Sequence, residues 1–306
     1  MIPMKKSLLD TFRLTVQERQ LGVYGIHISQ KGKGDLSHFW RSDDKVCLHS
    51  GSKTFTSLAV GICNDRGLFG LDDKVLDFFP EYRAEASEGS QNITLRHLLH
   101  MASGKKEFLF AGAPERMWSH DWAWLFFTDL MKDEAGAEFY YSNACTYMLS
   151  RVVEKVTGKT LRDFLLPLVF EPLGIPNPQW HTCPGGHTLG ATELYLTNGE
   201  FARLGQVLLN RGVYQDKILV SEAYLKDAVA DTIPSPGMLD PESNKGYGYQ
   251  LWLCSYPGAY RADGLYGQFC IVFPQEQAVV TLTSHEEKRP NDLLRVVYED
   301  IVPRLE

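Results

Sequence analysis

No stretch of the 306-residue chain is apolar for the length that a membrane-spanning helix needs, which excludes a helical span. The first ten residues hold two lysines followed by a single apolar pair, Leu8 and Leu9, too little for the apolar segment and cleavage site of a secretory leader. A cytoplasmic location is the expectation. An excess of basic residues is also missing: the formal net charge is −7, which leaves no electrostatic footprint for nucleic acid. The six cysteines (Cys47, Cys63, Cys145, Cys183, Cys254 and Cys270) show no CxxC spacing. Scattered thiols fit buried side chains in a reducing compartment better than a disulfide framework, and no pair has zinc-ligand spacing. Repeats and low-complexity segments are absent as well.

What is present has two textures. Tyr24, Ile26 and Ile28 alternate with smaller or polar residues, as in a half-buried strand, and Lys31 to Asp35 supplies a turn into a second strand, Leu36 to Trp40. Near the other end, Tyr247 to Cys254, Gln268 to Phe273 and Ala278 to Ser284 read as strands, the last two joined by a hairpin loop at Pro274 to Gln277. Leu293 to Ile301 closes the chain as a short amphipathic helix. Between these ends the spacing is helical. Ser50 to Arg66, Leu95 to Met101, Ala144 to Val156 and Phe201 to Asn210 are helices, with Thr94, Thr160 and Thr197 as N-caps. Asp163 and Glu200 stand at capping-box positions.

Strands at both termini with helices between predict an α+β fold: an antiparallel sheet formed by both chain ends and flanked by helices, with an inserted helical lobe. The expected organisation is one catalytic domain over 1–306, with a sheet lobe of about 1–66 and 246–306 and a helical lobe of about 67–245. The proline-rich stretch from Thr232 to Lys245 is the expected mobile loop.

Two short motifs carry chemistry. In Ser50-Gly51-Ser52-Lys53, one helical turn separates serine from lysine, so both side chains share a face. A serine hydroxyl needs an adjacent base, and a lysine serves if burial holds its amine neutral. By itself the pair also fits an N-cap followed by a solvated lysine. In Tyr141-Ser142-Asn143, just before another helix, the phenol is a candidate proton relay; alone it equally fits a core aromatic beside a cap.

In this order and on these elements, Ser50-x-x-Lys53 and Tyr141-x-Asn143 together resemble the serine β-lactamase and penicillin-binding-protein superfamily. Gly67 to Val75, Ile93 to Leu99, Glu154 to Gly158 and Phe170 to Ile175 are similar to class C-type members, so the resemblance runs from about Tyr24 to Leu282. It implies the β-lactamase/transpeptidase-like fold, an acyl-enzyme on Ser50, Lys53 as base, Tyr141 as relay and Asn143 as an orienting group. It implies no cofactor and no metal.

The third element of that family, Lys-Thr-Gly or His-x-Gly on a strand, is matched by Ala262-Asp263-Gly264, with alanine where the cation would stand. This resembles the esterase and 6-aminohexanoate-dimer-hydrolase-like branch. By that resemblance the backbone N–H groups of Ser50 and Leu265 form the oxyanion hole. Strand alternation puts Ala262 and Gly264 on one face and Arg261 with Asp263 on the other, so Arg261 is expected to pair with Asp263 rather than replace the cation. Gly264, Tyr266 and His187 are the candidate substrate-binding residues. Trp118, Trp122 and Trp124 are expected to pack, with the lining of an acyl pocket as the alternative, and His285-Glu286-Glu287 reads as an exposed turn. The expected activity is hydrolysis of a small-molecule ester, amide or peptide-like substrate by a serine acyl-enzyme, without nucleic acid or membrane as partner. A β-lactamase or penicillin-binding DD-peptidase-like activity and a non-catalytic binding protein are the alternatives. The oligomeric state is left open.

Overall fold

Strand β1 (Val23–Gln30) alternates as its sequence requires and pairs antiparallel with β2 (Leu36–Phe39) on one side. In the computed structural model, which describes residues 4, 6–105, 119, 121–238 and 240–305, its other neighbour is β11 (Ala278–Ser284), more than 250 residues later. The sheet continues through β10 (Gln268–Phe273) and β9 (Tyr260–Gly264) to β8 (Trp252–Leu253), giving the order β2-β1-β11-β10-β9-β8. The sheet is therefore closed by both chain ends. Strands β10 and β11 have the bounds the sequence predicts, joined at Pro274 to Gln277. The strand expected over 247–254 shrinks to two residues because Gly246 and Gln250 take left-handed backbone, φ +119° and +63°.

Two apolar clusters lie on opposite faces of this sheet. Ile26, Ile28, Phe269, Ile271 and Leu282 face outward under helix α1 (Asp10–Glu18) and helix α9 (Asp292–Val296), which supply Phe12, Val16, Leu293 and Val296. Helix α1 has no counterpart among the sequence expectations. Cys270, Val272 and Val279 face inward to the larger cluster, which holds α2 (Ser52–Asp65), α3 (Leu95–Leu99), α4 (Trp122–Thr128), α5 (Asn143–Thr157), α6 (Leu161–Leu165), α7 (Asn198–Leu209) and α8 (Glu222–Ala230). Each such side chain contributes about 1.5–3 kcal/mol on burial, so the inner cluster is what fixes α2 and α5 side by side.

The caps follow the sequence. Thr94 and Thr197 form complete capping boxes, with His97 and Glu200 as the reciprocal partners. Thr160 accepts from the Asp163 N–H, while the Asp163 carboxylate turns to Arg162. The lobe boundaries differ from expectation in one respect. Helix α7 lies directly on the sheet, and a Cβ at Gly205 would come within 2.3 Å of Val279, so this part of 67–245 belongs with the strands. Residues 46–47 form β3, which pairs with β5 (Leu194–Leu196), itself joined to β4 (Gln179–Trp180). A separate hairpin joins β6 (Val213–Tyr214) to β7 (Lys217–Ile218). Among the described residues, no helix is long and apolar enough to cross a membrane.

Candidate active site

Ser50 sits in a single 3-10 turn, His49–Gly51, that runs straight into α2. Lys53, three residues on, rises beside it with its side chain 1% exposed. Lys53 Nζ lies 2.9 Å from Ser50 Oγ, 2.6 Å from Asn143 Oδ1 and 2.9 Å from the Ala191 carbonyl. Burial lowers its pKa from 10.5 to about 7, against an opposing pull from negative charge nearby, Asp263 included. A neutral amine has two N–H donors and one lone pair. In that form the two carbonyl-type acceptors, Asn143 and Ala191, take the donors and the lone pair faces the Ser50 hydroxyl; in the charged form Nζ donates to all three.

Asn143 is the first residue of α5, whose N-cap is Ser142: the Ser142 hydroxyl accepts from the Ala144 N–H at 3.1 Å. Tyr141, just ahead, lines the same cavity as Ser50. Its ring stacks on Trp252 at 5.4 Å and meets Tyr247 edge-on at 6.1 Å. The Lys53 Nζ stands 5.0 Å from its centroid. Burial pushes the Tyr141 phenol well above its ordinary value, with the nearby Ser50 hydroxyl opposing. The phenol is therefore protonated at neutral pH, and of the two groups beside Ser50 the lysine is the one able to act as base.

The other wall is strand β9. A Cβ at Gly264 would lie 2.1 Å from the Leu48 carbonyl and 3.2 Å from the Gly51 nitrogen, so glycine is what lets this strand lie against the nucleophile turn. The position expected to bind substrate thus has a packing role. Gly264→Ala is predicted to cost about 1–3 kcal/mol of stability from overpacking. By displacing Leu265 relative to Ser50 it should also lower kcat about 10²-fold. A thermal melt and steady-state kinetics check both. Beyond Gly264 a tight turn runs from the Gly267 N–H to the Gly264 carbonyl at 3.2 Å, and the Leu265 N–H takes no part in it. Backbone in the left-handed region flanks both candidate oxyanion donors, at His49 (φ +47°) and Tyr266 (φ +66°).

These elements form a cavity of about 250 Å³ whose lining includes Ser50, Tyr141, Trp252, Asp263, Gly264, Leu265 and Tyr266, together with Met238, Ser243 and Phe269. A larger and more open cleft, about 760 Å³, is lined by Lys74, Glu88, Asn92, His97 and Lys132, and holds no nucleophile among its described residues. Chemistry therefore selects the smaller one. Arg261 and Asp263 pair as expected, Nε to Oδ2 at 2.8 Å, with Glu242 3.7 Å from the same guanidinium. Arg261 is fully buried, whereas Asp263 keeps a fifth of its side chain exposed and reaches the cavity. Ala262 joins the inner core instead. Among the described lining residues Asp263 is the one charged group.

His187 is not brought to this cavity. Its Nδ1 lies 2.9 Å from the Glu154 carboxylate, eleven residues along α5 from Asn143 and so about 16 Å away. Trp122 is buried against Tyr147, and the Trp124 Nε1 donates to Glu85 at 2.9 Å, both away from the cavity; Trp118 lies outside the described residues. His285 pairs with Glu287 on exposed positions, but Glu286 between them is buried, its carboxylate accepting from the Gly22, Lys288 and Arg289 N–H groups, so the stretch is not the fully exposed turn expected. Ala191 and Gln250 carry no sequence signal. The Gln250 side chain donates to the Leu98 and Leu99 carbonyls and accepts from Thr146, tying α3 to α5, while its own carbonyl accepts from Thr54 on α2. The stretch expected to be mobile supplies cavity-wall residues Met238 and Ser243, and is anchored by Asp240 to Arg295 at 3.1 Å.

A model of the Beta-lactamase family matches residues 15–300. The chain belongs to that family. The chain is similar to a 6-aminohexanoate-dimer hydrolase of Paenarthrobacter ureafaciens, 21% identical over 83% of this chain and 70% of the relative's length. A penicillin-binding protein of Bacillus subtilis is 29% identical over 42% of the chain, which spans only 29% of that longer protein. Among solved structures, a penicillin-binding protein homologue from Caulobacter crescentus superposes with a TM-score of 0.76 at 16% identity, covering 98% of this chain and 99% of the other. The sheet closed by both termini and the helical layer upon it are thus the Beta-lactamase family fold.

Proposed function

We propose that this family member is a serine hydrolase that cleaves small-molecule esters or amides through an acyl-enzyme on Ser50. The observation that carries this reading is the 2.9 Å contact of Lys53 Nζ with Ser50 Oγ beside two other acceptors, Asn143 and Ala191, so that the amine, once neutral, has one lone pair for the Ser50 hydroxyl. Lys53 takes the Ser50 proton as Oγ bonds to the substrate carbonyl carbon, and the carbonyl electrons move to an oxyanion held by the Ser50 and Leu265 N–H groups. On collapse the leaving group departs with the Tyr141 proton, which Lys53 replaces. Water then attacks the acyl-enzyme, giving its proton to the same pair, and Ser50 regains its hydrogen as the acid leaves. Asn143 holds the Lys53 amine in place throughout.

The charge at the cavity narrows the substrate. Without a lysine or arginine among its described lining residues, and with the Asp263 carboxylate already paired to Arg261, the cavity offers no charged partner to an anionic group beside the scissile bond. A substrate carboxylate would lack the charge-assisted hydrogen bond of a cation there, worth about 1.5–3 kcal/mol, so kcat/KM for a neutral aryl ester is predicted to exceed that for the carboxylate-bearing β-lactam nitrocefin by about 10–10²-fold. Comparable turnover of the two would sink this preference and favour a β-lactamase or penicillin-binding activity, the reading that the penicillin-binding relative supports. The cysteines, free among the described residues, fit a cytoplasmic location, to be tested by cell fractionation.

A further inference from the structure

Cys47, His49 and Glu193 belong to no motif with metal-ligand spacing, yet the fold brings them together beside the catalytic turn. In the β3–β5 ladder Cys47 stands opposite Tyr195. Leu48 extends this pairing with its N–H on the Leu194 carbonyl, and the next residues outward, His49 and Glu193, both take left-handed backbone, φ +47° and +62°. The result is that the Cys47 Sγ, a His49 ring nitrogen and a Glu193 carboxylate oxygen all lie within 4.8 Å of one another, on three half-buried residues. We propose that these three side chains form a binding site for a zinc-class divalent cation, separate from the Ser50–Lys53–Tyr141 machinery.

The donor set selects the class of ion. One thiolate, one imidazole and one carboxylate are the ligands of zinc, whereas magnesium and calcium take oxygen alone. Tetrahedral zinc with bonds of 2.0–2.3 Å sets its ligand atoms about 3.3–3.8 Å apart, so closing the present triangle needs only side-chain adjustment. The partial exposure of all three residues leaves the fourth position to water.

The surroundings are those of a supported site. The Cys47 sulfur accepts the His49 N–H at 3.4 Å. The Glu193 Oε2 accepts the Tyr195 hydroxyl at 2.8 Å, and the His181 Nδ1 stands 3.6 Å from the same oxygen. Such outer contacts orient the ligands and stabilise their charge. Binding balances as Cys–SH plus M²⁺ giving Cys–S–M⁺ plus a proton, with no change in oxidation state. The ion would sit one residue before the nucleophile, on a histidine whose ring also meets Tyr266 edge-on at 5.4 Å.

Titration of the purified full chain with cobalt(II), followed by absorption, tests this without reference to turnover. The expected result is a thiolate-to-cobalt charge-transfer band that saturates at one equivalent, persists in Ser50→Ala, and disappears when zinc, which has a filled d shell, displaces cobalt. Cys47→Ser should abolish the band, and Glu193→Gln, which leaves the thiol in place, should weaken affinity at least about tenfold. No band with cobalt in about tenfold excess overturns the proposal. A band that survives Cys47→Ser with undiminished intensity also overturns it, because the metal would then be on another cysteine.

Discussion

Ser50→Ala is expected to lower kcat for a neutral ester by about four to six orders of magnitude while leaving the fold intact. The size follows from what the hydroxyl does: without it no acyl-enzyme forms, and Lys53 and Tyr141 have no proton to exchange with a nucleophile. What survives is the smaller rate enhancement from the oxyanion donors and binding, which in serine hydrolases leaves about 10³–10⁴ over water. Structurally the change is mild. Ser50 is partly exposed and the turn is held by Gly51 N–H to the Leu48 carbonyl and by the Ser52 hydroxyl to the His49 carbonyl, neither of which uses the Ser50 side chain. An unchanged melting temperature with lost activity is therefore the expected pairing.

The second large effect belongs to Lys53. Its amine must be neutral to accept the Ser50 proton, and burial brings its pKa down to about 7. In the free enzyme the neutral fraction rises tenfold per pH unit below that value and levels off above it. The expected profile of kcat/KM thus climbs through pH 5–7 and reaches a plateau on the alkaline side, with no second fall until the raised phenol of Tyr141 ionises. Lys53→Met, near-isosteric and unable to carry a proton, should lower kcat/KM about 10²–10⁴-fold and remove the acid limb near pH 7. A variant that kept this limb would assign it to another group, and Lys53 would lose its role.

The parts of this account that were legible in the sequence share a physical reason: they depend on local spacing. Alternation marked β1, the hairpin loop at Pro274 to Gln277 set off β10 and β11, and Thr94 and Thr197 marked helix starts, because strands, turns and caps are decided by neighbours a few residues apart. The Ser50–Lys53 and Tyr141–Asn143 pairs were legible for the same cause, each lying within three residues. The resemblance joined the two pairs across 90 residues, which spacing alone does not. Contacts made by backbone left no trace: the Ala191 carbonyl on Lys53 could come from any residue type. Gln250 looked like a strand residue, and its left-handed backbone follows from three long-range hydrogen bonds made by its side chain. His187 failed for the opposite reason. Its loop was placed near the site by the family resemblance, but the contact with Glu154 holds it at the far end of α5. Asp263 was read correctly as the partner of Arg261, while its second exposure, to the cavity, depends on where β9 ends against the Ser50 turn.

The measurement that tests the central claim most directly is intact-mass analysis of the protein after reaction with a fluorophosphonate, alongside Ser50→Ala. The account predicts one phosphonyl adduct per chain on the wild-type protein, faster at pH 8 than at pH 6, and none on the variant. An adduct of equal extent on Ser50→Ala, or no adduct on the wild type, would contradict Ser50 as the nucleophile.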